Sequence, residues 1–155
     1  MWDLSGKAAL VTGANTGIGQ GIALALADAG ADIAAVGRSA ATETVQQVRA
    51  MGRKAEMVMA DLSSIEPVQR VVDETVDKLG GVDILVNNAG IIRRNDAIDF
   101  TEADWDVVLD TNLKSLFFLC QAAGRKMIAT HRADGRIGKI INIASMLTFQ
   151  GGIRV

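Results

Sequence analysis

The stretch VTGANTGIGQGIALALADAGADIAAVGR, residues 11–38, constrains the fold more than any other part of the chain. An apolar run, Ala8 to Thr12, stops at Gly13. Two more glycines follow at Gly17 and Gly19, and an alanine-rich segment carrying Ile18, Ile22, Leu24 and Leu26 runs to Ala29 before Gly30. Read as a strand turning straight into a helix, the glycines have separate uses. Gly13 lets the chain turn off the strand, Gly17 lets backbone amides approach a pyrophosphate, and Gly19 brings the helix close to the sheet. The first N–H groups of such a helix lack intrahelical acceptors, and with the helix dipole they form an anion site. No Gly-Lys-Ser/Thr follows, so the loop does not read as the phosphate cradle of a nucleotide hydrolase.

The same alternation continues down the chain. Ile33–Val36 reads as a second strand, Thr42–Met51 as a helix closed by Gly52, and Ala55–Ala60 as a third strand ending at Asp61. Ser63 or Ser64 is expected to cap the next helix, with Pro67 in its first turn and Val68, Val71, Val72, Val76 and Leu79 on one face. Val82–Val86 reads as a fourth strand, Thr101 to about Met127 as one long helix capped by Thr101 and Asp104, and Lys139–Ala144 as a fifth strand. The runs AALVT, ILVNN and KIINIA are mostly continuous apolar, as in parallel strands covered on both faces. Right-handed crossovers then give an α/β fold, a Rossmann-type doubly wound parallel sheet of order 3-2-1-4-5, as one domain over residues 1–155. Such sheets bind ligands where the strand order reverses, so the loops after Thr12 and Val86 should flank the site.

Charge and composition narrow the function classes. A chain of 155 residues with net charge −2 can bury one core and offers no electrostatic case for nucleic acid or an anionic membrane. No charged-then-apolar leader pattern and no run of membrane-spanning length is read, which points to the cytoplasm. Cys120, the single cysteine, follows the apolar run Leu116–Leu119 and reads as a packed structural thiol. No metal-ligand cluster is read.

The motifs together resemble the short-chain dehydrogenase/reductase family. Thr12-Gly13-Ala14-Asn15-Thr16-Gly17-Ile18-Gly19 is similar to its TGxxxGxG fingerprint, and Asn87-Asn88-Ala89-Gly90 to its NNAG motif. Asp61, Asn112 and Ser145 stand at the family's adenine-contacting aspartate, helix asparagine and catalytic serine. The resemblance implies a dinucleotide held by Gly13, Asn15, Thr16, Gly17, Ile18, Gly19, Arg38, Ser39, Asp61, Leu62, Asn88, Ala89 and Gly90. It also implies that Ser145 orients the substrate oxygen and that Asn112 holds a water of a proton relay. The residues alone leave structural uses open: loop-tying amides for Asn87 and Asn88, an exposed helix position for Asn112, a turn former for Ser145.

Cofactor choice is read at the end of the second strand, Val36-Gly37-Arg38-Ser39. An acidic residue there would bind a ribose 2′-hydroxyl; here Arg38 and Ser39 suit a 2′-phosphate, so the cofactor is NAD(P) with NADP favoured over NAD. Arg93, Arg94 and Arg154, with Gln150, lie beside the expected site, and arginine grips carboxylates in two-point fashion. Their surroundings resemble a sugar-acid-oxidising subgroup of the family, so a small anionic sugar acid is the expected substrate. The resemblance also implies a homodimer or homotetramer.

The family's chemistry needs a tyrosine acid/base and a lysine four residues later, and the chain contains no tyrosine. Family spacing would put it about three positions beyond Val155. The resemblance further implies two more strands and the helices that cover the fifth. Residues 1–155 by themselves are therefore expected to be catalytically inactive and marginally soluble. His131, in what reads as a polar loop, is not placed to substitute. Two other readings stay open: a dinucleotide-binding or subunit-interaction module without catalysis, and an enzyme of the same architecture such as a nucleotide-sugar epimerase.

Overall fold

The computed structural model describes residues 2–154. Five parallel strands, β1 (Ala8–Thr12), β2 (Asp32–Gly37), β3 (Ala55–Met59), β4 (Ile84–Asn87) and β5 (Lys139–Asn142), form one sheet of order β3-β2-β1-β4-β5. Val11 at its centre stands beside Ala35 on one side and Val86 on the other. The connections are helical: α1 (Gly17–Asp28), α2 (Thr42–Ala50), α3 (Val68–Leu79), α4 (Glu102–Leu109) and α5 (Ser115–Asp134).

Successive residues of each strand feed opposite faces, so the core has two layers. Ala9, Val11, Ile33 and Ala35 pack with Ala23 and Ala27 of α1 and Val45 and Val48 of α2. Leu10, Val36, Val58 and Leu85 pack with Val71 and Val72 of α3 and Leu119 and Ala123 of α5. The alanines of α1 keep its axis near the sheet, which fixes where its N-terminus meets the end of β1.

Three expectations need correction. Neither Ser63 nor Ser64 caps α3: the helix opens after Pro67 with no side-chain cap. Ser63 instead donates its N–H to Asp61 Oδ1 at 2.9 Å, and the Ser64 carbonyl accepts from the Ser115 hydroxyl at 3.1 Å. Pro67 has no N–H to be capped, which removes part of the need. The long helix is not uniform, because a π-helical turn, Asp110–Lys114, separates α4 from α5. It also runs past Met127 to Asp134, ending where Gly135 takes a left-handed φ of 78°. His131 is thus in the last turn of a helix, its Nδ1 3.1 Å from the Arg136 carbonyl oxygen. The polarity of THRADG marks a solvated helix end with a glycine stop. The Thr101 cap forms as expected, its hydroxyl accepting from the Asp104 N–H at 3.1 Å.

Strand β5 differs from the other four. Its start is tied down: Asp83 accepts from the Ala8 N–H through Oδ2 at 2.9 Å and lies 3.6 Å from the Arg136 guanidinium, and its carbonyl receives the Lys139 N–H at 2.8 Å. Yet all four of its residues are exposed, with Ile140 at 40% and Ile141 at 45%. The sequence KIINIA has the pattern of a buried strand, and no element among the described residues covers it.

Candidate functional site

The carboxyl ends of the strands present, in spatial order, Asp61 after β3, Arg38 after β2, Gly13 after β1, Asn88 after β4 and Ser145 after β5. At a strand spacing of ~4.8 Å this edge is about 19 Å long. A cleft of about 170 Å³ runs along this edge from β3 to β4, lined by Gly13, Asn15, Arg38, Ser39, Asp61, Leu62, Ala89 and Gly90. Residues implicated separately by the sequence therefore meet in one place. Gly37, Ala60, Ser63, Ile91, Val107 and Thr111 complete the lining.

The glycine corner is built by close approach. Gly13 has φ 66°, and its N–H donates to the Val36 carbonyl at 2.7 Å. Gly19 is buried so tightly that a side-chain carbon there would collide with the Gly13 carbonyl oxygen. Gly17 has φ 60° with nothing near it, so its freedom is used for backbone conformation and open access. Thr16, at the N-cap of α1, makes no side-chain cap bond, and the first turn carries no acidic residue. The helix N-terminus thus keeps its donors for a ligand, and the residues present fit a dinucleotide pyrophosphate. Thr16 and Ile18 are exposed beside it.

Asn88 locks this corner to β4. Its side-chain amide donates to the Thr12 and Gly13 carbonyls at 3.0 and 3.4 Å. The Thr12 hydroxyl accepts the N–H groups of Asn88 and Ala89 at 3.0 and 2.9 Å. The fingerprint motif assigns Thr12 no role of its own; its sequence signal is a hydroxyl ending an otherwise apolar strand. Asn87 points the other way, donating to the Cys120 sulfur at 3.2 Å and to Asn142 Oδ1 at 2.9 Å. Cys120 is half-buried rather than fully packed, and burial pushes its thiol pKa up.

On the β2–β3 side, Asn15 Nδ2 donates to Ser39 Oγ at 2.8 Å. The Asp61 carboxylate is held below its usual range, chiefly by the hydrogen bond from the Ser63 N–H and in lesser part by the Arg38 charge. It is therefore ionised throughout the neutral range, and only acidification through that lowered value would remove its charge. Arg38 itself has no ion-pair partner among the described residues.

Asn112 lies in the π-helical turn, a distortion frequent at functional sites. Its amide pairs with the backbone of Ile91, Oδ1 accepting the N–H at 2.9 Å and Nδ2 donating to the carbonyl at 2.8 Å. It therefore holds the chain just beyond Gly90, where an added side-chain carbon would come within 3.3 Å of Asn112 Oδ1. Neighbouring Thr111 is buried against the cleft with no hydrogen-bond partner for its hydroxyl.

Ser145 and Gln150 come together in a separate open hollow with Ala144, Met146 and Phe149. The Ser145 hydroxyl there accepts from the Leu147 N–H at 3.2 Å. The three arginines are not equivalent. Arg93 Nε lies 3.2 Å from Asp104, and Arg154, at a left-handed φ of 59°, lies 2.9 Å from Asp96. Arg94 has no ion-pair partner among the described residues.

The family model for short chain dehydrogenases matches residues 7–155. The chain belongs to the short-chain dehydrogenase family. It is 53% identical over 154 residues to 2-dehydro-3-deoxy-D-gluconate 5-dehydrogenase of Escherichia coli K12, covering 99% of this chain and 59% of that protein. A solved structure from Agrobacterium tumefaciens, provisionally assigned as a 2-deoxy-D-gluconate 3-dehydrogenase and holding NADP, matches with TM-score 0.85 and 48% identity over 99% of this chain and 58% of its own. A short chain dehydrogenase from Burkholderia cenocepacia in complex with NADP matches with TM-score 0.87 and 36% identity, over 97% of this chain and 60% of its own. The chain thus spans about 59% of the length of the curated relatives it matches. Among the described residues no helix is long and apolar enough to cross a membrane, and no cluster of three or more His, Cys, Asp or Glu could hold a metal ion.

Proposed function

We propose that this chain carries the dinucleotide half of an NADP(H)-dependent dehydrogenase acting on a secondary alcohol or ketone of a sugar acid of the deoxy-gluconate or keto-deoxy-gluconate type. The observation that carries the reading is the glycine corner: Gly13 and Asn15 line a cleft that holds Arg38, Ser39 and Asp61 together, and the helix that follows has an uncapped N-terminus. Bound there, the nicotinamide supplies or accepts the hydride. Gly13, Thr16, Gly17, Ile18 and Gly19 receive the pyrophosphate, Asp61 and Leu62 the adenine, and Asn88, Ala89 and Gly90 the nicotinamide side. Ser145 aligns the substrate oxygen, with Gln150 beside it. Asn112 keeps the Gly90–Ile91 backbone in register at the proton-transfer end. Names of the relatives support the sugar-acid substrate, and NADP in two solved relatives supports the cofactor.

Assay of the protein expressed from its complete reading frame tests this. NADP-linked turnover of 2-dehydro-3-deoxy-D-gluconate or 2-deoxy-D-gluconate is expected, alongside an intact mass well above 16.3 kDa for protein from its native source. Stoichiometric dinucleotide binding with no turnover of either acid would favour the binding module instead. Residues 1–155 produced alone are expected to show no turnover, since a positioned acid/base contributes about 10²–10⁴-fold. They are also expected to self-associate through the uncovered β5. A monodisperse, active fragment would contradict both expectations.

With no ion-pair partner among the described residues, Arg94 is the first candidate to grip the carboxylate. Arg94→Ala should raise the KM for the acid by about 10- to 100-fold with little change in cofactor affinity, the worth of one charge-assisted hydrogen bond or pair. Arg93→Ala should have the smaller substrate effect, because its Nε serves Asp104. Steady-state kinetics at saturating cofactor separates the two, and an unchanged KM in Arg94→Ala would remove it from the site.

A further inference from the structure

Ser39 reaches the cleft already committed on one side. Its oxygen accepts the Asn15 amide N–H at 2.8 Å, and it makes no other side-chain hydrogen bond among the described residues. A hydroxyl has one proton and two lone pairs, so a donor on one lone pair leaves the proton to point elsewhere. Both residues line the cleft next to Arg38. Asn15 lies beside the end of β2, close enough that a side-chain carbon on Gly37 would make ordinary van der Waals contact with its Oδ1, and it follows the corner that Asn88 holds. The same cleft contains the Asp61 carboxylate, which disfavours a second anion nearby. A phosphate monoester therefore needs every available donor turned toward it.

Resting on the reading above that NADP is the cofactor, we propose that Asn15 is a positioning residue for cofactor selection. By donating to the Ser39 oxygen it directs the hydroxyl proton at the 2′-phosphate, alongside the Arg38 guanidinium. Selection is then set jointly by the glycine corner and the end of β2, two segments 24 residues apart in sequence. An acceptor in place of the Asn15 amino group would turn the serine proton away from the phosphate.

The test is a double-mutant cycle on the protein expressed from its complete reading frame. NADPH and NADH are titrated against wild type, Asn15→Ala, Ser39→Ala and the double variant, followed by nicotinamide fluorescence. The readout is the ratio of the two dissociation constants, because general damage to the shared pyrophosphate corner weakens both cofactors alike. Ser39→Ala should lower the preference for NADPH about tenfold and Asn15→Ala about threefold to fivefold, as for a charge-assisted bond lost or misaligned. The double variant should lose no more than Ser39→Ala alone, since Asn15 acts through Ser39. An unchanged ratio in Asn15→Ala, or losses that multiply in the double variant, would overturn the positioning role while leaving the cofactor reading intact. A wild type without preference for NADPH would overturn both.

Discussion

Replacing Gly19 with alanine should abolish high-affinity dinucleotide binding and lower stability by about 3 kcal/mol, the upper end for overpacking. The added carbon would meet the Gly13 carbonyl oxygen and the Asn88 amide, and neither can yield cheaply. Gly13 is held by its N–H bond to Val36, and Asn88 by its bonds to the end of β1. The helix would have to move away from the sheet, taking its free N–H groups with it. Two nearby glycines provide the controls. Gly17→Ala meets no atom but must hold φ 60°, so it should cost roughly 1–2 kcal/mol through strain alone. Gly21→Ala, exposed in α1 with nothing within 4 Å, should gain about 0.5–1 kcal/mol. Urea midpoints and NADPH titrations of the three variants check the order. A Gly19→Ala protein as stable as Gly21→Ala would mean that the helix does not approach the strand this closely.

These glycines also mark how much was legible in the sequence. Local rules were enough for the corner and the strand order, because apolar runs, glycine stops and helix faces are read over a few residues. The π-helical turn at Asp110–Lys114 was not legible. TNLK has no proline or glycine to announce a break, and the contact made from within the turn, Asn112 to the Ile91 backbone, joins residues 21 apart that meet only on folding. The inequality of the arginines was hidden for the same reason: Asp96 and Asp104 become partners of Arg154 and Arg93 only after folding. β5 shows the opposite case. Its sequence has the pattern of a covered strand, and what covers a strand is never written in the strand itself.

Thr12→Val should produce the second large effect, from a residue whose role lies in one oxygen. Thr12 is 1% exposed, and valine would fill its place with little change of shape. The loss is confined to the hydroxyl that accepts from both Asn88 N–H and Ala89 N–H and donates to the Val86 carbonyl at 3.3 Å. Leaving a buried donor without a partner costs about 1–3 kcal/mol. Two donors are stranded here, both half-buried, so a loss of about 3 kcal/mol is expected for the pair. The loop after β4 would no longer be registered against the end of β1, and NADPH affinity should fall at least roughly tenfold with it. Thr12→Ser keeps the oxygen and gives up one methyl, a cost of about 1 kcal/mol with cofactor binding preserved. Denaturation and titration of the two variants separate packing from hydrogen bonding. If valine and serine behave alike, the volume of Thr12 rather than its hydroxyl holds the ends of β1 and β4 together.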